Sequence, residues 1–297
     1  MGNTPVFMLC PGRSFSSVVC GMIGVHPQLY ALSEVYLFCA DTVHELRSYL
    51  SRPQLRTLFH GLLRVIAELE MGEQTEENAD KAAAWLEERD NWSTTAIYEH
   101  IVERVAPRRC VDKTPAYTRP ENLCRVYEAY PDAKFLHIAR HPRSFMTSRI
   151  KVFEDKATRK NIAARKTDPD ENEKHWVKAN SAVLEFTAHL QPGQSMFLQG
   201  EQLLSDPDRY LVQIAEWLEV DASPESIEAM KHPETSPYAR PGPINARGGN
   251  NRKFIESPEL KIMKYPKPSL DQPPEDGTDW WRFSPATLEL ARRLGYQ

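Results

Sequence analysis

Two short stretches of this chain place arginine and serine side chains where a strand pattern gives way to a helix pattern. The first runs Pro11-Gly12-Arg13-Ser14-Phe15-Ser16-Ser17, and the second runs from Arg140 to Ser148. A strand that leads into a helix N-terminus presents free backbone N–H groups and the positive end of the helix dipole, and both suit an anionic ligand. The two stretches therefore predict two phosphate-binding turns on one ligand.

The first turn combines a cation with several hydroxyls. Arg13 places a fixed charge there, with geometry suited to bidentate contacts, and Ser14, Ser16 and Ser17 have hydroxyls that can donate to phosphate oxygens. The alternative is that the serines are ordinary helix N-caps and Arg13 is a solvated surface residue. The pattern Gly-x-x-x-x-Gly-Lys-Ser/Thr is missing, which makes an ATP-hydrolysing or ATP-kinase function a weak hypothesis.

The second turn begins where the apolar run 134–139 ends. Arg140 stands at that end, and Ser148 follows eight positions later, about two helical turns into the next helix. The two side chains can grip one phosphate from two directions, at the carboxyl end of a strand where open α/β sheets bind their ligands. The alternative is that Arg140 and Arg143 form a basic surface pair.

With these motifs the chain resembles sulfotransferases that use 3'-phosphoadenosine 5'-phosphosulfate (PAPS). Pro11, Arg13, Ser14, Ser16 and Ser17 match the family pattern Pro-x-Arg-Ser-Gly-Ser/Thr-Ser/Thr, and Arg140 with Ser148 match its Arg-x7-Ser segment. The resemblance implies that the first loop holds the 5'-phosphosulfate, that the second segment holds the 3'-phosphate, and that adenosine 3',5'-bisphosphate (PAP) is a product.

Phe15 and Gly12 depart from the family pattern in the first loop. Phe15 stands where the family has glycine, and Gly12 occupies a position that is often proline. Glycine adopts positive φ readily and a bulky residue rarely does. We therefore expect the backbone flexibility to move to Gly12, with Phe15 remaining part of the cofactor loop.

The resemblance covers most of residues 5–257 and points to one branch of the superfamily. Segments 26–34, 111–117 and 201–207 are similar to members, most of all to the sulfotransferase domains of polyketide synthase offloading modules, and more distantly to tyrosylprotein sulfotransferases. The helical insert at about 41–105 also looks like the polyketide-associated group. The resemblance implies an acceptor that is a small molecule, an acyl chain or a natural product of secondary metabolism, either free or bound to a carrier protein.

Sulfuryl transfer to a hydroxyl needs a base for the acceptor proton and a cation for the leaving phosphate. Arg13 lies in the loop expected to hold that phosphate, and Glu34 matches the glutamate base of the tyrosylprotein and polyketide-associated branches. Lys113 follows a predicted strand and is expected to neutralise the sulfuryl oxygens or hold Glu34. The alternatives are a surface carboxylate at Glu34, a Lys113–Asp112 salt bridge, and a histidine base.

Further candidates surround this centre. Trp176 and Asn180 share a helical face at i,i+4 and are expected to border the acceptor pocket, although Trp176 also suits the core. Residues 241–254 form a basic, glycine-rich stretch with little helix or strand character. The resemblance implies that it folds over the nucleotide, with Arg247, Arg252 and Lys253 as clamps; the alternative is a surface loop.

The arrangement of predicted elements indicates a single α/β domain spanning the 297 residues. Predicted strands at 6–10, 108–111, 134–139 and 195–199 alternate with helices, which is typical of a mostly parallel central sheet with helices on both faces, here a P-loop-like sulfotransferase fold. The insert at 41–105 is expected to form a helical cap. A proline-rich segment at about 257–280 and a final helix at about 283–294 follow.

Composition argues against several other classes of protein. A net charge of −4 implies no nucleic-acid surface, no apolar run reaches membrane-spanning length, and no histidine spacing predicts a metal site. Five cysteines without a Cys-x-x-Cys pair favour free thiols in a reducing, cytoplasmic setting. Two other functions stay open, a P-loop-type phosphotransferase and a catalytically silent nucleotide-binding protein.

Overall fold

A five-stranded parallel sheet lies at the centre of the chain in the computed structural model, which describes residues 4–160, 168–264, 269–271 and 282–297. The strand order is β2-β3-β1-β4-β5, and every neighbouring pair is parallel. The bounds are β1 Val6–Leu9, β2 Leu29–Ala31, β3 Arg109–Asp112, β4 Lys134–Ala139 and β5 Ser195–Gln199. The predicted α/β class with a mostly parallel sheet is confirmed.

One strand, β2, was not predicted from the sequence. It has three residues and pairs with β3 through Leu29↔Arg109 and Ala31↔Val111. Three residues are too few to show an apolar period, so only the pairing with β3 reveals the strand.

Helices surround the sheet and connect its strands. Their bounds are α1 Ser16–Gly24, α2 Val43–Leu50, α3 His60–Met71, α4 Glu76–Glu87, α5 Thr94–Val105, α6 Pro120–Ala129, α7 Pro142–Lys160, α8 Pro169–Thr187, α9 Gly200–Ser205, α10 Pro207–Leu218, α11 Pro224–Met230, α12 Arg252–Glu256 and α13 Pro285–Arg293. None of these described helices combines the length and the apolar character needed to cross a membrane. Of the predicted proline-rich segment at 257–280, residues 265–268 and 272–280 lie outside the described part of the chain.

Alternation along β1 divides the core between the two faces of the sheet. Phe7 and Leu9 are fully buried in one apolar cluster with the helices of the 43–105 region, while Val6 and Met8 are fully buried in a second cluster with α1 and α10. A parallel sheet covered on both faces needs apolar residues at every position, which explains the unbroken apolar run.

The 43–105 region is helical throughout its regular structure. Side-chain caps set three of its four helix starts: Thr42 forms a capping box with Glu45 before α2, Thr75 caps α4 and Ser93 caps α5, while α3 begins without one. The break between α2 and α3 includes Pro53, which cannot continue a helix. The apolar side of these helices packs over one face of the sheet.

The buried His137 is expected to lower the free energy of unfolding in acid. It is buried in β4 beside Asn180 Oδ1, 3.1 Å from its Nε2, and burial lowers its pKa to about 4. The unfolded chain therefore binds a proton below pH 6.5 that the folded chain does not bind until about pH 4, so stability falls as the pH falls through this window. We expect His137 to account for ~2 kcal/mol of unfolding free energy lost between pH 7.5 and pH 5.

Urea unfolding at the two pH values measures this effect. His137→Gln should lose ~2 kcal/mol less than the unmodified protein on acidification, and His189→Gln, which changes an exposed histidine, should behave like the unmodified protein. Equal acid losses in all three proteins would contradict the assignment to His137.

Candidate active site

Charged residues follow all five strands at the carboxyl edge of the sheet. Across this edge, in strand order, they are Glu34 after β2, Lys113 after β3, Arg13 after β1, Arg140 after β4 and Glu201 after β5. The strands are parallel, so their carboxyl ends share one edge, which is where such sheets bind ligands. The result is a row of three cations flanked by a carboxylate at each end.

The first loop, residues 11–17, turns tightly from β1 into α1. Ser14 is fully buried, and its Oγ has no hydrogen-bond partner among the described residues. Ser17 Oγ, in the first turn of α1, accepts a hydrogen bond from the Asn251 N–H at 3.2 Å. A buried hydroxyl beside a helix N-terminus is suited to an anionic oxygen.

The expectation that Gly12 rather than Phe15 would adopt positive φ is wrong. The left-handed residues of the loop are Arg13 at φ 83° and Phe15 at φ 63°. Such a backbone costs about 1–2 kcal/mol for a residue with a Cβ. Contacts of the phenylalanine ring offset this cost. The ring lies against Gly200, where an added Cβ would come 2.5 Å from the ring. The Arg140 guanidinium lies over the same ring, with its central carbon 4.3 Å from the ring centroid.

The two phosphate turns predicted from the sequence contact each other directly. Arg13 Nε and Nη2 both donate to Ser148 Oγ at 3.2 Å, and Arg140 Nη1 donates to the Arg13 carbonyl oxygen at 2.8 Å. Burial lowers the pKa of Arg140 to about 10, and the neighbouring charge of Arg13 adds to the effect while Glu201 opposes it. Arg140 is still protonated at neutral pH, so positive charge is concentrated in a partly buried turn.

This region suits an anionic ligand. Besides Ser14 Oγ, the buried Nε of Arg140 has no hydrogen-bond partner within the described ranges. Unpaired buried donors are expensive, and an anionic oxygen would satisfy both. Among the described residues, no group of three or more His, Cys, Asp or Glu side chains is placed to hold a metal ion.

Glu34 and Lys113 form a close ion pair at the opposite side of the first loop. Lys113 Nζ lies 2.7 Å from Glu34 Oε1, and the Tyr36 hydroxyl donates to Glu34 Oε2 at 3.2 Å. The lysine side chain is 1% exposed and the glutamate side chain 17%. Of the two partners, the carboxylate is therefore the one that an incoming molecule can reach.

The segment between Arg247 and Asn251 braces the backbone at Glu34. The Gly249 carbonyl oxygen accepts from Glu34 N at 2.9 Å and from Ser33 Oγ at 2.8 Å. Gly249 has φ 90°, and a Cβ there would lie 2.3 Å from Ser33 Oγ, so this contact requires glycine.

The three basic residues expected to act as clamps are all exposed. Arg247 lies just before this contact, and Arg252 pairs with Glu256 at 2.6 Å. The sequence suggested little regular structure here, but Arg252 and Lys253 open the short helix α12, because Asn251 caps it through the Lys253 N–H. The backbone of this segment touches the first loop through the Asn251 N–H and Glu34 through the Gly249 carbonyl oxygen.

Comparison with known proteins identifies the family. A profile of the sulfotransferase family matches residues 5–224. The chain belongs to this family. No curated protein matches the sequence.

Solved sulfotransferase domains share the fold over nearly the whole chain. The sulfotransferase domain from the curacin biosynthetic pathway superposes with a TM-score of 0.78 at 22% identity, covering 99% of this chain and 98% of that one. The sulfotransferase domain from the Synechococcus PCC 7002 olefin synthase has a TM-score of 0.74 at 21% identity, covering 99% and 94%. At such identities the likeness establishes the fold.

Trp176 and Asn180, expected at the acceptor pocket of this sulfotransferase, are fully buried. Trp176 Nε1 donates to the Arg140 carbonyl oxygen at 2.9 Å, and Asn180 Nδ2 donates to the Trp176 carbonyl oxygen at 2.8 Å. The structure therefore places this helical face behind the second phosphate turn.

Three residues beside the candidate site were not predicted from the sequence. Tyr36 contacts the Glu34 carboxylate, and Glu201 and Tyr296 contact each other beside Arg140. Glu201 could have been predicted, since it comes two residues after the predicted strand 195–199, much as Arg140 comes directly after 134–139. Tyr296 could not, because nothing in the C-terminal sequence indicates what it packs against.

Proposed function

We propose that this sulfotransferase transfers the sulfuryl group of PAPS to a hydroxyl group of its acceptor. The observation that carries the proposal is the row of charges at the sheet edge, in which the Glu34–Lys113 pair adjoins the Arg13 loop and Arg140 lies beyond it. This order provides a carboxylate base next to cations, followed by further cationic charge for a second phosphate.

Glu34 is proposed as the base. Its carboxylate is the partly exposed member of the ion pair, and it accepts the proton of the acceptor hydroxyl. Lys113 and Tyr36 hold the two carboxylate oxygens, which orients the group without covering it. The buried ammonium of Lys113 also places positive charge where sulfuryl oxygens would lie.

The first loop and the second turn are proposed to hold the nucleotide. When bound, PAPS supplies the sulfuryl group and leaves as PAP. Arg13 stabilises the negative charge on the 5'-phosphate, helped by the Ser14 hydroxyl and the N-terminus of α1. Arg140 and Ser148 bind the 3'-phosphate, and Phe15 fixes the Arg140 guanidinium by lying beneath it.

The acceptor is proposed to be a small molecule, an acyl chain or a natural product, either free or carrier-bound. The partly buried apolar side chains of Leu58 and Phe59 lie just before Gly61, which packs against the Glu34 backbone, and they support an apolar acceptor body. Two structures with the same fold come from a curacin biosynthetic pathway and an olefin synthase, which supports a role in secondary metabolism. Buried free thiols at Cys10, Cys20 and Cys110 support a reducing, cytoplasmic setting.

Ligand-dependent thermal unfolding tests the nucleotide half of this proposal. We expect PAP to raise the melting temperature and ATP with magnesium to have little effect, because binding to the folded state alone stabilises it. The reverse result would favour a phosphotransferase, and no response to either would contradict the proposal. Incubation with labelled PAPS and a panel of hydroxyl acceptors then identifies the acceptor, and failure of every acceptor alongside PAP binding would support a silent nucleotide-binding protein.

A further inference from the structure

Glu201 is a buried carboxylate that the proposed chemistry does not use. It lies in α9 directly after β5 and is 5% exposed. Its Oε1 accepts the His141 backbone N–H at 2.9 Å, and its Oε2 accepts the Tyr296 hydroxyl at 3.3 Å. The side chain therefore joins the Arg140–His141 turn to the C-terminal end of the chain.

The contacts of Glu201 complete a clamp on one peptide group. The Arg140 carbonyl and the His141 N–H belong to the same peptide unit. Trp176 Nε1 donates to the carbonyl at 2.9 Å, and the Glu201 carboxylate accepts from the N–H at 2.9 Å. Both polar atoms of the peptide that follows Arg140 are thus held by side chains from α8 and α9.

The C-terminal segment packs on this same turn. The Gln199 side chain donates to the Leu294 carbonyl oxygen at 2.7 Å, and the Tyr296 ring meets the His141 ring edge-on at 5.3 Å between centroids. Arg143, the second residue of α7, donates to the Ser269 carbonyl oxygen at 3.2 Å. The last residues are therefore built into the second phosphate turn.

A buried carboxylate needs such partners. Burial raises the pKa of Glu201, while the His141 N–H and the charge of Arg140 lower it. Removing a charge from water costs several kcal/mol, which hydrogen bonds to both oxygens and a nearby cation offset. Loss of the Tyr296 hydrogen bond would leave the carboxylate held by the His141 N–H alone, and loss of the carboxylate would leave that N–H without its acceptor.

We propose that Glu201 and Tyr296 are positioning residues that hold the peptide after Arg140, and so hold the Arg140 guanidinium in place for the 3'-phosphate. This inference rests on the proposed use of PAPS. It assigns the C-terminal tail a part in nucleotide discrimination: the tail distinguishes a nucleotide with a 3'-phosphate from one without it.

Calorimetric titration with PAP and with adenosine 5'-monophosphate, which lacks the 3'-phosphate, tests the proposal. Tyr296→Phe removes one hydroxyl and should weaken PAP binding ~3–10-fold. Glu201→Ala leaves two donors unpaired and should weaken PAP binding ~10–100-fold, with Glu201→Gln recovering most of the loss since an amide oxygen can still accept the His141 N–H. Adenosine monophosphate affinity should change less than about 2-fold in each variant.

Tyr210→Phe is the matched control. It removes a tyrosine hydroxyl that bonds the neighbouring Gln202 side chain at 3.2 Å, and it should leave both affinities unchanged. If Glu201→Ala does not fold, Tyr296→Phe decides the question, because it removes a single oxygen atom.

The outcomes separate this inference from the proposed function. Unmodified protein that binds PAP no more tightly than adenosine monophosphate would contradict the proposed function itself. If the unmodified protein binds PAP more tightly than adenosine monophosphate, and the two Glu201 variants and Tyr296→Phe all keep that difference, only the role of Glu201 and Tyr296 would be contradicted. Equal losses for both nucleotides would also overturn that role, since they would indicate general damage to the site.

Discussion

Glu34→Gln should cut sulfuryl transfer by about 10²- to 10⁴-fold while PAP binding stays nearly unchanged. Glutamine keeps the size of the side chain and an oxygen for the Lys113 ammonium, which lies 2.7 Å from the carboxylate. It cannot take the acceptor proton at neutral pH. The chemical step is therefore lost while the nucleotide turns around Arg13 and Arg140 remain intact.

Transfer rates with saturating PAPS and calorimetric PAP affinities measure this result. Glu87→Gln is the matched control, because Glu87 is also a glutamate in an ion pair, with Arg47 at 3.0 Å, but it lies on the surface. It should keep full activity. Unchanged turnover in Glu34→Gln would mean that another residue is the base. An equal loss of turnover in Glu87→Gln would mean that the loss is not specific to Glu34.

Arg140→Ala should weaken PAP binding by ~10- to 150-fold, the range expected for loss of a charge-assisted hydrogen bond. Ser148→Ala, which removes a neutral hydroxyl, should weaken it ~3–10-fold. Adenosine 5'-monophosphate should be affected far less by either substitution. The smaller effect on adenosine 5'-monophosphate follows from the position of the two side chains, which lie on the β4–α7 side of the first loop, away from Glu34.

The ratio of the two nucleotide affinities measures this discrimination. Thr147→Ala is the control, since Thr147 precedes Ser148 on the same helix but is exposed. Each substitution also removes a contact with Arg13, at its carbonyl oxygen for Arg140 and at its guanidinium for Ser148, so the ratio of the two affinities decides the question and the loss for PAP alone does not. Equal losses for both nucleotides would refute the 3'-phosphate assignment for Arg140 and Ser148.

Much of the fold could be predicted from local patterns. The predicted strands at 6–10, 134–139 and 195–199 correspond to β1, β4 and β5, and the helical insert predicted at 41–105 contains α2 to α5. These elements are long enough for their periodicity to show. The short strand β2 could not be predicted, because its identity depends on pairing with β3.

In the first loop, prediction from local backbone preference failed. The family pattern located Arg13 and the serines, but general backbone preference placed the positive φ on the wrong residue. Phe15 adopts it because its ring gains contacts with Gly200 and Arg140, residues far away in the chain. These tertiary contacts offset the ~1–2 kcal/mol that a left-handed backbone costs.

The sequence by itself located four of the five strands, β1, β3, β4 and β5, and therefore most of the charges that reach the sheet edge. Apolar period, turn residues and helix caps are local properties, readable over a few neighbours. Only the tertiary structure decided how those charges are grouped: Lys113 with Glu34, Arg13 with Ser148, and Arg140 beside Glu201 and the C-terminal Tyr296. These partnerships follow from the strand order β2-β3-β1-β4-β5, which is set by the packing of the whole core and not by any segment alone.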